Sequence, residues 1–166
     1  MLPQQKFLLG GVGAAVLTIN SITINVNAVV GASNNHFEIW SNSSGSPVAQ
    51  IGGDSETKSL SSTGNTTFNF STPVPVPAAG NSYWIIQQAS GGDVNVNRGS
   101  SASSGVSGGD LIFTASESIT DFVSGSTILP RLVANLSDGT SVGQTSGTTA
   151  IGTGSGLVLG LLITNA

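Results

Sequence analysis

Apolar and polar residues alternate along much of the chain, a period of two that predicts half-buried β-strands. Leu17 and Ile19 stand at odd positions, whereas Ile22, Ile24, Val26, Ala28 and Val30 stand at even ones. One residue inserted at Asn20-Ser21 accounts for the change of parity, and a β-bulge there keeps both stretches facing one core. Phe37-Glu38-Ile39-Trp40 continues the strand pattern and runs into a turn cluster, Ser41 to Pro47, rich in Ser, Asn and Gly. Further strands are predicted at Val48 to Ile51, Thr66 to Phe70 and Tyr83 to Gln88. Asp93 to Asn97 reads as a short hairpin partner, with Val94 and Val96 inward and Asn95 and Asn97 outward.

The punctuation between these runs is equally informative. Pro73-Val74-Pro75-Val76-Pro77 lacks backbone donors at alternate positions, which restricts it to an edge strand or an extended polyproline segment. Ser100 to Gly109 reads as a Ser/Gly loop. Leu111 to Ala115 and Thr127 to Leu136 are strand candidates, the second interrupted by Pro130, and Ser137-Asp138-Gly139-Thr140 is a turn signal. One short helix is expected at Glu117 to Val123, where Ile119, Phe122 and Val123 share a face. Many short strands with frequent turns predict an all-β protein, a single antiparallel β-sandwich or jelly roll.

That sandwich is expected to occupy residues 1–136, with 137–166 as an extended C-terminal arm rich in Gly, Ser and Thr. The arm ends in Leu157-Val158-Leu159-Gly160-Leu161-Leu162-Ile163. Such a run must be covered, either as a central strand or against another subunit. Its Gly-rich lead-in favours the second, making Leu157, Val158, Leu159, Leu161, Leu162 and Ile163 candidate partner-subunit contacts. Deleting Leu157 to Ala166 is then expected to leave the sandwich folded and abolish attachment.

Composition narrows the function. The 166 residues suit one domain. Charged residues are only 7% of the chain, so its surface must be built from 26 Ser, 16 Thr, 13 Asn and 23 Gly. Four basic residues and a net charge of −4 exclude a nucleic-acid backbone and an anionic membrane surface as partners. A mean hydropathy of +0.24 with so little charge also argues against disorder. The lack of cysteine removes thiolate metal sites, disulfides and Cys nucleophiles. Lys6 with Phe7 to Leu17 and Val26-Asn27-Ala28 imitates a secretory signal. Polar Thr18, Asn20, Ser21, Thr23 and Asn25 break the imitation, so Met1 is expected to be retained. Neither apolar stretch has the ~20 residues of a membrane span.

Few residues propose chemistry. Gly-x-Ser-x-Gly occurs at Gly105 to Gly109 and at Gly139 to Gly143, in loop sequence rather than at a strand–turn–helix elbow. His36 is the sole imidazole, so a multi-histidine metal site is excluded; it reads as a general base or, more simply, as a solvent-facing strand residue. Asp54, Glu56, Asp93, Asp110, Asp121 and Asp138 offer oxygen to a hard cation but lack the dense spacing of a calcium loop. Glu38 and Glu117 are the nominal carboxylate pair for glycosidase chemistry. Trp40, Tyr83 and Trp84 are either core or a glycan-stacking platform, and at least one of the adjacent aromatics must be core. Asn-x-Ser/Thr sites at Asn42, Asn65, Asn69 and Asn135 are no more than the composition produces by chance. No catalytic residue, cofactor or metal is expected.

Leu17 to Ile24, Phe37 to Ser41, Gly45-Ser46-Pro47, Phe68-Asn69-Phe70, Pro73-Val74 and Ala79 to Ile86 together resemble the choice-of-anchor β-sandwich domains of bacterial surface proteins and some phage structural proteins. The resemblance covers roughly residues 5 to 90. It implies a sandwich in an extracellular or virion setting, an early strand around Gln5-Lys6-Phe7, and no catalytic residues. The expected function is that of a non-enzymatic virion structural protein, a phage capsid decoration or cement protein. Its expected partners are the major capsid protein or other virion subunits, in a homo-oligomer such as a trimer. The competing expectation is a carbohydrate-binding or adhesive module of a phage tail or bacterial surface, with a hydrolase using His36 or Glu38 as a third.

Overall fold

A computed structural model of the protein describes residues 17–77, 81–97, 111–114, 132–143, 150–153 and 158–164. The chain is all-β: two antiparallel sheets pack against each other as a sandwich. The strands are β1 (Thr18–Ser43), β2 (Ser46–Gln50), β3 (Lys58–Leu60), β4 (Gly64–Pro75), β5 (Ser82–Asn97), β6 (Leu111–Thr114), β7 (Leu132–Leu136), β8 (Ser141–Gly143), β9 (Ala150–Thr153) and β10 (Val158–Thr164).

Strand β1 organises both layers. Its first half pairs β4 along one edge and β7 along the other, and β8 extends that layer beyond β7. Its second half pairs β5, with β3 and β2 on the opposite edge; β10 and then β6 continue beyond β5. A strand this long serves two layers only if its inward face is reset along the way. The register shifts between Ile19 and Ser21 against both β4 and β7, at the position where the alternation changes parity. Ile19 and Ile22 are consequently both fully buried. Further shifts against β5 fall between Val26 and Ala28 and between Val30 and Ser33, and beyond them the odd positions Phe37 and Ile39 are the buried ones.

One hydrophobic cluster joins the layers. Ile19, Ile22, Ile24 and Val26 of the first half meet Phe37 and Ile39 of the second, together with Phe68, Val74, Tyr83, Ile85 and Leu132. Phe37 stands edge-on to Phe68 of β4, with ring centroids 5.0 Å apart at 67°, the arrangement that aromatic quadrupoles favour. The β1–β2 connection is a two-residue loop in which Ser44 and Gly45 have φ of 52° and 82°. Positive φ at both central residues matches the twist of a hairpin. Pro73 and Pro75 lie exposed at the end of β4 while Val74 and Val76 are buried, as an edge strand requires. Asp138 Oδ1 accepts from Thr140 N at 2.9 Å, closing the β7–β8 turn.

Three expectations are revised. Asp93 to Asn97 is no separate hairpin partner but the end of β5, paired with β1 and β9. Within the stretch expected as an extended C-terminal arm, the described strands β8, β9 and β10 belong to the same hydrogen-bonded network. Val158 to Ile163, expected as a reaching segment, lies in β10 with its backbone laddered to β5 on one side and β6 on the other. An apolar run without charge meets its backbone hydrogen-bonding requirement most fully between two strands. Residue 157, the expected loop at 100–109, the expected helix at 117–123 and the possible early strand at 5–7 lie outside the described residues.

Candidate functional site

With Phe37 and Ile39 turned into the core, the period of two places His36, Glu38 and Trp40 on the opposite face of β1. The segment after β2 then folds against the same stretch of β1. Ile51 N donates to Ile39 O at 2.7 Å, and Ser55 N donates to Phe37 O at 2.9 Å. Buried Ser55 also accepts from Phe37 N through its Oγ at 2.8 Å. These bonds fall on either side of Glu38 and hold Asp54 next to it. The turn between them needs Gly52, whose φ is +75° and whose added Cβ would lie 3.1 Å from Val74 Cγ2.

His36, Glu38 and Asp54 therefore meet across 18 residues of sequence. His36 Nε2 lies 3.1 Å from Glu38 Oε1 and 3.9 Å from Asp54 Oδ2. One ligand atom from each residue lies within 4.8 Å of the others. Each carboxylate is also held from behind by a neutral donor: Trp40 Nε1 donates to Glu38 Oε2 and Gln50 Nε2 to Asp54 Oδ1, both at 2.7 Å. Glu38 is buried, His36 partly exposed and Asp54 exposed. The group forms a graded path from interior to solvent.

A shallow depression of about 260 Å³ adjoins it, lined by Asp54, Ser55, Glu56, Asn69 and Ser71. Glu56 Oε1 accepts from Asn69 N at 2.8 Å and Asn69 Nδ2 at 2.7 Å, and Lys58 Nζ lies 3.0 Å away. The Asn69 backbone N–H and then the Lys58 hydrogen bond hold the Glu56 carboxyl below its ordinary range. Both interactions favour the charged form.

The other sequence candidates separate. Tyr83 and Trp84, offered as a glycan platform, are 1% and 0% exposed, and Trp84 Nε1 donates to Asn42 Oδ1 at 2.9 Å. Both are structural, because adjacent residues of β5 face opposite sides of a sheet that is covered on each. Only Trp40 retains partial exposure, and its indole N–H is committed to Glu38. Ser141 of the second Gly-x-Ser-x-Gly opens β8 and donates to Asn135 Oδ1 at 3.1 Å, so it occupies a hairpin rather than a nucleophile elbow. Glu117, the nominal partner of Glu38, lies outside the described residues, as does the first Gly-x-Ser-x-Gly.

The spacing His36-x-Glu38-x-Trp40 already places three side chains on one face of a strand. Nothing in the sequence attaches Asp54 to them, because that link is made by backbone bonds between a loop and β1. Among the described residues, no helix is long and apolar enough to cross a membrane. No family model, curated protein or solved structure matches the chain. The class defined by fold and site is thus an all-β antiparallel sandwich bearing a histidine–carboxylate cluster.

Proposed function

We propose that this chain is a non-enzymatic structural protein of a virus particle, a capsid decoration or cement protein that contacts shell subunits in many copies. The observation that carries the reading is a neutral hydrogen-bonded face across β4, β1, β7 and β8. Asn25 Nδ2 donates to Asn65 Oδ1 at 2.6 Å, and Thr23 Oγ1 and Thr67 Oγ1 are 2.8 Å apart. Asn135 Nδ2 reaches Ser21 Oγ and Thr23 Oγ1 at 3.0 Å, and Ser141 Oγ donates to Asn135 Oδ1. A preordered polar face without charge loses little desolvation energy on docking, and Lys and Glu are depleted in interfaces. Repetition over a lattice then supplies the avidity that a single small contact lacks.

The resemblance to choice-of-anchor sandwiches supports the same setting: a virion surface, with a secreted or cell-surface location as the competing one. β10 pairs with β5 and β6 through its backbone, and the neutral face of β4, β1, β7 and β8 is the surface put forward for attachment. Quantitative mass spectrometry of purified particles tests the proposal: hundreds of copies per particle are expected, and absence from particles would overturn it. An exposed substitution in the face, Asn65→Lys, should lower occupancy while the isolated protein keeps its melting temperature.

A further inference from the structure

Among the described residues, two carboxylates and an imidazole come together with no lysine or arginine ion-paired to them. Among the described residues, the ion pairs of Glu38 and Asp54 are with His36 alone, and Lys58 is engaged with Glu56. Trp40 and Gln50 stabilise one oxygen of each carboxylate but bring no positive charge. Glu38 is buried beside a second carboxylate, and a cation shared by the two would offset their mutual repulsion.

Separations within the cluster indicate which cation. Bonds of about 2.0–2.1 Å in a tetrahedral shell put neighbouring donor atoms about 3.3 Å apart. His36 Nε2 and Glu38 Oε1 are at 3.1 Å, and His36 Nε2 and Asp54 Oδ2 at 3.9 Å. All three ligand atoms lie within 4.8 Å of one another, and rotation of the exposed Asp54 side chain would shorten the longer separations. One nitrogen and two oxygens suit zinc, whereas calcium takes six to eight oxygens. The outer carboxylate oxygens are fixed by the Trp40 and Gln50 N–H donors, which orients the inner oxygens toward a shared ion.

We propose that His36 Nε2, Glu38 Oε1 and Asp54 Oδ2 bind one Zn²⁺ ion, with the remaining coordination position open to solvent. The site stabilises the attachment of the 51–56 segment to β1. It stands independently of the virion reading, since it concerns the isolated chain.

Isothermal titration of the full, metal-stripped chain with zinc chloride tests it. One saturable Zn²⁺ per chain is expected, with a rise in melting temperature and a shift of the single histidine's imidazole resonances. Asp54→Asn, on an exposed loop, and His36→Gln should each weaken binding at least about tenfold with the fold retained, and Trp40→Phe about 10–100-fold through the lost orienting bond. Absence of saturable uptake, uptake undiminished in His36→Gln, or calcium bound in preference to zinc would each overturn the proposal. A correctly folded Asp54→Asn variant that binds as tightly as the parent would do so as well.

Discussion

The two halves of β1 bury the same kind of face and expose opposite kinds. Inward, Ile22 and Ile24 of the first half and Phe37 and Ile39 of the second share one hydrocarbon cluster. Outward, the first half carries Ser21, Thr23 and Asn25 in a neutral ladder, whereas the second carries His36, Glu38 and Trp40 around a charged centre. Core composition therefore says nothing about which outer face holds chemistry. The difference lies in what borders each half: β4 and β7 bring Asn65, Thr67, Val133 and Asn135 to the first, all uncharged, while the 51–56 loop offers the second a carboxylate.

The strongest way to break this comparison is to remove β10. Deleting Leu157 to Ala166 strips the strand between β5 and β6, beside the second half of β1. Because one core serves both halves, the cooperative unfolding transition should vanish in calorimetry, against the sequence expectation of a folded remainder. A surviving transition would show that the first-half layer folds alone.

Core truncation comes next. Phe37→Ala should cost about 3–5 kcal/mol and Ile22→Ala about 2–5 kcal/mol in urea unfolding, so the two halves should respond alike. A much smaller loss at either position would mean that the layers are less tightly joined than the Phe37–Phe68 contact implies.

Alkaline pH probes the aromatic neighbour of the second half. Burial pushes Tyr83 up to about 12 from 10, so the folded chain holds a proton that the unfolded chain has lost between those values. Stability from this residue is thus full below pH ~10 and falls by about 2–3 kcal/mol as pH rises through ~12. Tyr83→Phe should flatten that fall. As the chain has a single tyrosine, its phenolate absorbance reports the folded titration directly.

The smallest effect belongs to the neutral face. Thr23→Val removes a hydroxyl that contacts Thr67 and accepts from Asn135, and should cost about 0.5–1.5 kcal/mol by thermal unfolding. A larger loss would indicate that the ladder supports the fold as well as presenting a surface.

Much of this layout was legible along the chain. The parity change at Asn20-Ser21 located a register shift, the Ser137 to Thr140 signal located the β7–β8 turn, and alternating prolines marked the edge of β4. Strand length is less legible. β1 and β5 run through small and polar residues where alternation fades, because pairing with neighbours on both edges sustains an extended backbone that side-chain pattern alone does not announce.

By itself the sequence determined the fold class, the inward faces of the strands and the grouping of His36, Glu38 and Trp40, since all of these follow from a period of two within one segment. Only the tertiary structure decided that Val158 to Ile163 pairs within the sheet, that Tyr83 and Trp84 are both covered, and that Asp54 joins the histidine. Those outcomes depend on contacts between residues distant along the chain, and local alternation carries no information about which distant strand or loop will supply the partner.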